Sequence, residues 1–489
     1  MRQNFISQYM SDLITLFKKD LFNLIEDLKN NNIIDNLKFK SISIDYSSKS
    51  KQGDLSTNIL LILLKKNLNK EFDIKKYVYN YLLKLEYIDT IEIAKIGFIN
   101  LNIKKDFLVF KIMEGFKKSF KIYNSAVKSK KINIEFVSAN PTGPIHVAHI
   151  RGAVLGDVLA SILSEVGHKV TREYYVNDAG SQIKVLGTSL FKRYQELFGI
   201  KIQINDSEYP GEYLIDIAKE IKNTDSDKWI KLEYDHITKK HFESYGVNYL
   251  FKQIKKNLSL LDIHFDKFTF ESHIVNKKLI DQVFKILEEK KLIYEGFLEK
   301  PLGEDDKNWK PRKQLLFRST IFADDVDRPF KKADGDWTYF ANDAAYHYDK
   351  FTRGYDNLIN IWGADHIGYI SRMKSIVNAL SNKTNYLDIF ICQIVRLIKN
   401  DKLLKMSKRD GNFVTLEDIY KDVGKDPLRY FMISSKSETP MDFDINKVVE
   451  KNKDNPVFYC QYAYARASSV LRKANNFEDF KNLDKSYNL

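Results

Sequence analysis

Between residues 132 and 176 the apolar positions change period twice. INIEFV (132–137), with apolar residues at 132, 134, 136 and 137, predicts a short buried strand. Ile150, Val154, Leu155, Val158, Leu159, Ile162, Leu163 and Val166 then recur at helical spacing, and Gly167 stands where a helix C-cap belongs. HKVTREYYVND reads as a second strand. Strand, loop, helix and strand within about forty residues predict a βαβ unit and hence a parallel sheet.

The flanking patterns extend this α/β reading. MRQNFISQYMSDLITLFKKDLF is amphipathic, carries acids and lacks a small-residue cleavage site, so it reads as a helix and not a signal peptide. YVYNYLLKLEYIDTIEIAKIGFINLNI predicts a helix followed by the strands IDTIEIA and GFINLNI. Residues 1–125 are therefore expected to form a small α+β domain, with NSAVKSKK (124–131) as a linker. From about 190 to about 300 the pattern is mostly helical, an insertion or helical layer. Strand-like runs return at GDWTYFA, NLINIWGADH and YLDIFICQIVRLI, with IGYISRMKSIVNAL as a helix between the last two. They are expected to supply the second half of the sheet. A basic, glycine-bearing loop, KLLKMSKRDGNFV, and two short helices follow. The expected domains are 1–125, 126–450 and 451–489. The last opens on an N-cap and N1 pair, Asn455-Pro456, and one amphipathic helix, VFYCQYAYARASSVLRKA.

Charge adds a hint about partners. The 489 residues carry a formal net charge of +13, which favours a polyanionic partner such as nucleic acid, although lysine enrichment on an ordinary solvated surface gives the same number. No run of about twenty apolar residues suggests a membrane span. Only Cys392 and Cys460 are present, too few for a Cys-rich zinc site or a disulfide framework, so a reducing cytoplasm is expected.

Two stretches carry candidate chemistry. In SANPTGPIHVAHIRGAVLGD (138–157), His146 and His149 lie where the first strand hands over to the helix. Helix starts offer unpaired N–H groups and a positive dipole end, so phosphate is a natural guest, and two imidazoles add donors for charge developing on a phosphoryl oxygen. A zinc pair and plain structural histidines remain alternatives. An HExxH glutamate and the GxGxxG of a dinucleotide loop are both missing. In KMSKRDG (405–411), lysines near a phosphate site would grip the β- and γ-phosphates of ATP as pyrophosphate leaves, whereas the plainer reading is a solvated hairpin tip.

The two motifs, in this order on one α/β framework, resemble the HIGH and KMSKS signatures of class I aminoacyl-tRNA synthetases. EFVSANPTGPIHVAHIRGAVLGDVLA, YYVNDAGSQI, YFANDAAYHYDKF and KMSKRDGNFVTLEDI look like the arginyl-tRNA synthetase family in particular, over residues 1 to about 475. The resemblance implies a Rossmann-like parallel-sheet catalytic domain with a helical insertion, an N-terminal α+β domain for the tRNA elbow and a helical anticodon-binding domain. It implies ATP with Mg²⁺, L-arginine and tRNA(Arg) as partners, no membrane and a monomer. Catalysis is expected of His146, His149, Lys405 and Lys408. ATP is expected at Ala148, Gly363, Asp365, His366, Met406 and Ser407. Arginine is expected at Glu135, Ser138, Asn140, Tyr339 and Asp343, the carboxylates facing the guanidinium. No resident metal site is expected.

Two features depart from the family pattern. Ala148 occupies the glycine position of HIGH, and its methyl group is expected to weaken ATP binding by pushing the adenine outward. Only the first helix of the C-terminal helical domain is evident, so that domain is expected to be incomplete and tRNA affinity reduced. A non-catalytic tRNA-binding paralogue and a small adenylyltransferase of the HxGH superfamily are the competing functional readings.

Overall fold

The computed structural model describes residues 13–34, 41–46, 53–66, 70–94, 97–117, 128–230, 235–276, 278–297, 313–404 and 414–474. The chain divides into two compact units that part after Lys128.

The first unit holds α1 (Leu13–Asn30), β1 (Ile44–Tyr46), β2 (Leu55–Thr57), α2 (Ile59–Lys66), α3 (Ile74–Leu83), β3 (Ile88–Ile93), β4 (Ile99–Ile103) and α4 (Lys105–Lys117). Its strands form an antiparallel sheet in the order β1-β2-β4-β3. Phe17, Leu21, Leu24 and Leu28 recur along one face of α1 and are buried with Leu55, Leu63, Val78 and Leu101. The expected α+β pattern holds for this unit.

The second unit is built on five parallel strands. Its elements open with β5 (Lys131–Glu135), α5 (Val147–Glu165), β6 (Lys169–Val176) and the helices α6 (Ser181–Glu196), α7 (Tyr213–Asp225) and α8 (His236–Ser259). β7 (Lys267–Phe270), α9 (Glu271–Asn276), α10 (Leu279–Glu289), β8 (Ile293–Phe297), β9 (Lys313–Phe317) and β10 (Arg328–Lys331) follow. Then come α11 (Tyr339–Thr352), β11 (Asn357–Gly363), α12 (Ile370–Ser381), β12 (Leu387–Cys392), β13 (Val395–Lys399) and β14 (Lys402–Leu403). The chain continues through α13 (Leu416–Val423), α14 (Lys425–Met432), β15 (Met441–Asp444) and α15 (Pro456–Ala474). The parallel sheet runs β12-β11-β5-β6-β7, so the chain leaves β5 toward one edge through β6 and returns on its other side through β11. The carboxyl ends beside that reversal, Glu135 and Gly363, lie where open α/β sheets bind ligands. Alternate residues of β5 explain its central place: Ile132 and Ile134 are buried among apolar side chains, and Asn133 and Glu135 are buried on the other face among polar ones.

Three expectations change. GDWTYFA is not a strand. Thr338 caps α11 by accepting from the amide of Ala341, and the helix begins at Tyr339. YLDIFICQIVRLI is two strands in two sheets: β12 joins the parallel sheet, and β13 pairs with β14 and β15. The insertion is helical through α6–α8, whose core includes Leu186, Leu190, Leu214 and Phe242, but it also contributes the edge strand β7. Downstream of it, β8, β9 and β10 make a separate antiparallel sheet. Helix α5 is long and apolar enough by length and composition to cross a membrane, yet it is a core helix with buried Arg151 and Asp157.

Candidate functional site

The site begins where β5 ends. Val137 and Ser138 both have positive φ, 67° and 38°, and the amide of Ser138 donates to the carbonyl of Phe136 at 2.9 Å. A β-branched residue in this region is strained, and the i→i+2 bond marks a tight γ-turn. Side chains clamp it. The Ser138 hydroxyl donates to Glu135 Oε1 at 3.0 Å and accepts from the amide of Tyr175 at 3.1 Å. The buried Tyr174 hydroxyl donates to the carbonyl of Ala139 at 2.7 Å. Asn140 donates to Gln182 Oε1 at 2.8 Å, and Tyr213 donates to the carbonyl of Thr142 at 2.6 Å. The turn delivers the chain to α5 and the two histidines. Gly156 lets the helix lie on the strand end, since a Cβ there would meet the Phe136 ring at 2.2 Å.

The imidazoles of His146 and His149 lie 4.1 Å apart between centroids, and Nδ1 of His149 accepts from the amide of His146 at 3.3 Å. Ala148 is exposed in the first turn of α5. Thr415 forms an isolated antiparallel bridge with His146, and the amide of Leu416 donates to the carbonyl of Ile145 at 2.9 Å. The chain re-emerging from the KMSKR segment is thus fastened to the histidine corner. Lys405, Met406, Ser407 and Lys408 themselves lie outside the described residues. One turn further along α5, the buried guanidinium of Arg151 donates to the carbonyls of Thr439 (2.7 Å), Lys436 (2.8 Å) and Gln393 (3.3 Å).

A polar layer lies on the other side of β5. The sheet register sets Asn360, Glu135 and Glu173 abreast on β11, β5 and β6. Helix α11 meets that row with residues at helical spacing. The fully buried Lys350 ammonium donates to Glu135 Oε2 and, at 3.1 Å, to Asn360 Oδ1. Arg353 makes a two-pronged contact with Glu173 at 2.9 Å on each arm. Burial opposes ionisation of Glu173, but Lys350, Arg353 and Thr269 hold its carboxyl below the usual range. Nδ2 of Asn360 donates to Nε2 of His347 at 2.9 Å, so His347 uses Nδ1–H toward the carbonyl of Asp343. Burial and the neighbouring Lys350 push the His347 imidazole down to about 4, and the ring is neutral.

Asp343 stands one turn before His347. Burial pushes its carboxyl up to about 7, against the pull of the Tyr369 hydroxyl, which donates to Oδ2 at 2.6 Å. Glu271 and Glu135 push it the same way as burial. Glu271 is itself raised by burial and by Asp178. This corner therefore concentrates more negative charge than it readily keeps ionised, a setting that a planar cation would relieve.

The remaining expected residues sit differently. Tyr339 starts α11 and is 71 % exposed. Gly363 ends β11, and the carboxylate of Asp365 folds back so closely that a Cβ on Gly363 would lie 2.5 Å from Oδ1. Asp365 and His366 are exposed in the short 3₁₀ turn that follows and lie 3.4 Å apart. Sequence reasoning missed Lys350, His347, Tyr369 and Asn360. The spacing of Asp343, His347 and Lys350 (i, i+4, i+7), which puts them on one face of the helix, was the available signal for two of them.

Comparison with known proteins decides the family. The model for "tRNA synthetases class I (R), catalytic domain" matches residues 112–450, and that for the arginyl tRNA synthetase N-terminal domain matches residues 13–103. The chain belongs to the class I arginyl-tRNA synthetases. Among its relatives in this family are the arginine–tRNA ligase of Ehrlichia ruminantium (strain Welgevonden) and that of Orientia tsutsugamushi (strain Boryong). The first is 44 % identical over 90 % of this chain and 77 % of its own length. The second is 45 % identical over 89 % of this chain and 74 % of its own. The solved arginyl-tRNA synthetase of Plasmodium falciparum shares the fold, with a TM-score of 0.67 over 95 % of this chain and 81 % of that one at 17 % identity. Class I synthetases use ATP as a substrate.

Proposed function

We propose that this chain is an arginine–tRNA ligase. A carboxylate oxygen of L-arginine attacks the α-phosphorus of ATP, the bond from that phosphorus to the bridging oxygen breaks, and pyrophosphate leaves. The 2′-hydroxyl of the 3′-terminal adenosine of tRNA(Arg) then takes the arginyl group and AMP departs. The observation that carries the arginine reading is the crowded carboxylate corner at Asp343, at the sheet edge from which the histidine helix also springs.

Arginine's carboxylate is already ionised at neutral pH, so the first step needs positioning and charge stabilisation more than acid–base help. His146 and His149 supply donors toward the phosphates, with Lys405 and Lys408 as the cations for the leaving pyrophosphate. Ala148, Gly363, Asp365, His366, Met406 and Ser407 line the nucleotide. Asp343 and Glu135 face the guanidinium, Tyr339 flanks it, and Ser138 and Asn140 hold the amino-acid end. Mg²⁺ accompanies the ATP phosphates. The enzyme works as a cytoplasmic monomer on tRNA(Arg), away from membranes, with residues 1–125, 126–450 and 451–489 as its elbow-binding, catalytic and helical parts.

The test is ATP–pyrophosphate exchange with each amino acid in turn, with and without tRNA. Exchange that depends on arginine is the expected result. No exchange with arginine even in the presence of tRNA would leave a tRNA-binding protein without ligase activity.

A further inference from the structure

Lys350 is a lysine that a sequence reader would leave on a solvated helix face, yet it is fully buried. A buried ammonium is costly unless paired and hydrogen-bonded. Here its partners are Glu135 Oε2 and Asn360 Oδ1, and it stands 4.5 Å from the centre of the Tyr346 ring. Glu135 is 7 % exposed, and both of its oxygens are engaged, one by Lys350 and one by the Ser138 hydroxyl. Ser138 passes the connection on by accepting from the amide of Tyr175. The hydroxyl that completes this chain belongs to the strained turn at Val137 and Ser138.

We infer that Lys350 is a positioning residue for arginine: its ammonium fixes the Glu135 carboxylate, and Glu135, through Ser138, holds the strained turn that presents Asn140 and the histidine helix. The inference rests on reading this corner as the arginine pocket. The turn has no glycine to make its positive φ values cheap, so something outside it must hold it. Ser138 bonds the turn to β5 through an oxygen of the group that Lys350 neutralises. Without Lys350, Glu135 would be a buried carboxylate beside other acids with no cation to orient it. It would turn away, and the anchor of the turn would loosen. Arginine, which meets this corner directly, feels the change more than ATP does.

A double-variant cycle tests this, with Lys350→Met, Glu135→Gln and both together in the full chain. Arginine and ATP KM are read by pyrophosphate exchange with tRNA present, and the thermal midpoint is read in parallel. In the Glu135 background, Lys350→Met is expected to raise the arginine KM about tenfold or more and to leave the ATP KM within about twofold. In the Glu135→Gln background the same change is expected to move the arginine KM less than about threefold, because removing both members of a buried pair is far milder than removing one. The double variant is likewise expected to melt above Lys350→Met alone. Equal effects of Lys350→Met in both backgrounds, or none in either, would overturn the inference. If Lys350→Met alone does not fold, the double variant decides: a folded protein with the arginine KM of Glu135→Gln supports the coupling, and a double variant that also fails to fold overturns it. If the unmodified chain shows no arginine-dependent exchange, the ligase reading falls, and the thermal cycle still decides whether Lys350 acts through Glu135.

Discussion

Thr415 pairs with His146 in an isolated bridge, so the return from the KMSKR segment and the entrance of the histidine helix share backbone hydrogen bonds. Thr415 also heads α13 through a capping box, accepting from the amide of Asp418 at 3.1 Å and donating to its carboxylate at 2.6 Å. Thr415→Ala should therefore cost about 1 kcal/mol of stability through the cap. It should also raise the ATP KM more than the arginine KM, since it loosens the fastening of the segment expected to grip phosphate. Thermal unfolding and exchange kinetics check both parts, and equal changes in the two KM values would refute the link.

Asp343 predicts a pH dependence. Its carboxyl is pushed up to about 7, so near neutrality part of the free enzyme holds a proton there that a bound guanidinium must displace. The arginine KM should fall as pH rises from about 6 to about 8, measured by exchange at saturating ATP. Tyr369→Phe removes a donor that lowers this pKa, so it should shift the fall to higher pH. The stability sign is opposite. The folded chain binds this proton more tightly than the unfolded one, so Asp343 costs stability progressively as pH climbs from its ordinary value of 3.8 toward about 7. Arginine should offset that cost, raising the thermal midpoint more at about pH 8 than at about pH 6.

Two glycines of the histidine helix should respond in opposite ways. A Cβ on Gly156 would overlap the Phe136 ring, so Gly156→Ala should destabilise by about 1–3 kcal/mol through overpacking. A Cβ on Gly152 would meet only Ile361 at 3.8 Å and Cys392 at 4.0 Å, ordinary contacts, so Gly152→Ala should be neutral or stabilising by up to about 1 kcal/mol. Urea titration of the two variants side by side is the check.

Ala148 is exposed at the helix entrance, so Ala148→Gly disturbs no core packing. If the methyl group crowds the adenine, the glycine variant should lower the ATP KM by several-fold at an unchanged arginine KM. An unchanged ATP KM would show that the base does not lie against this position.

The parts of the fold carried by local pattern were readable before any coordinates. β5, α5 and β6 each hold one period long enough to declare itself, and the histidine motif sits where β5 hands over to α5. The break after Cys392 was not readable, because YLDIFICQIVRLI stays apolar across it. The split is made by tertiary partners, including Arg151, which binds the carbonyl of Gln393. β7 was hidden because a four-residue edge strand follows a long helix with no turn signal between strands. In the site, Glu135 and Asp343 stood out as acids in a motif context. Their controlling neighbours did not. Lys350 lies 215 positions from Glu135, Tyr369 comes from a separate turn, and a lysine in sequence is usually a solvated one.

The buried guanidinium of Arg151 bears on how the protein is made. The carbonyls it binds belong to residues that leave the ribosome 242 to 288 positions later. Until Gln393, Lys436 and Thr439 arrive, the helix begun at Val147 carries a cation that has nowhere dry to go. The histidine corner therefore stays unfinished until late in synthesis, and its completion is timed by the arrival of the last strands of the same unit.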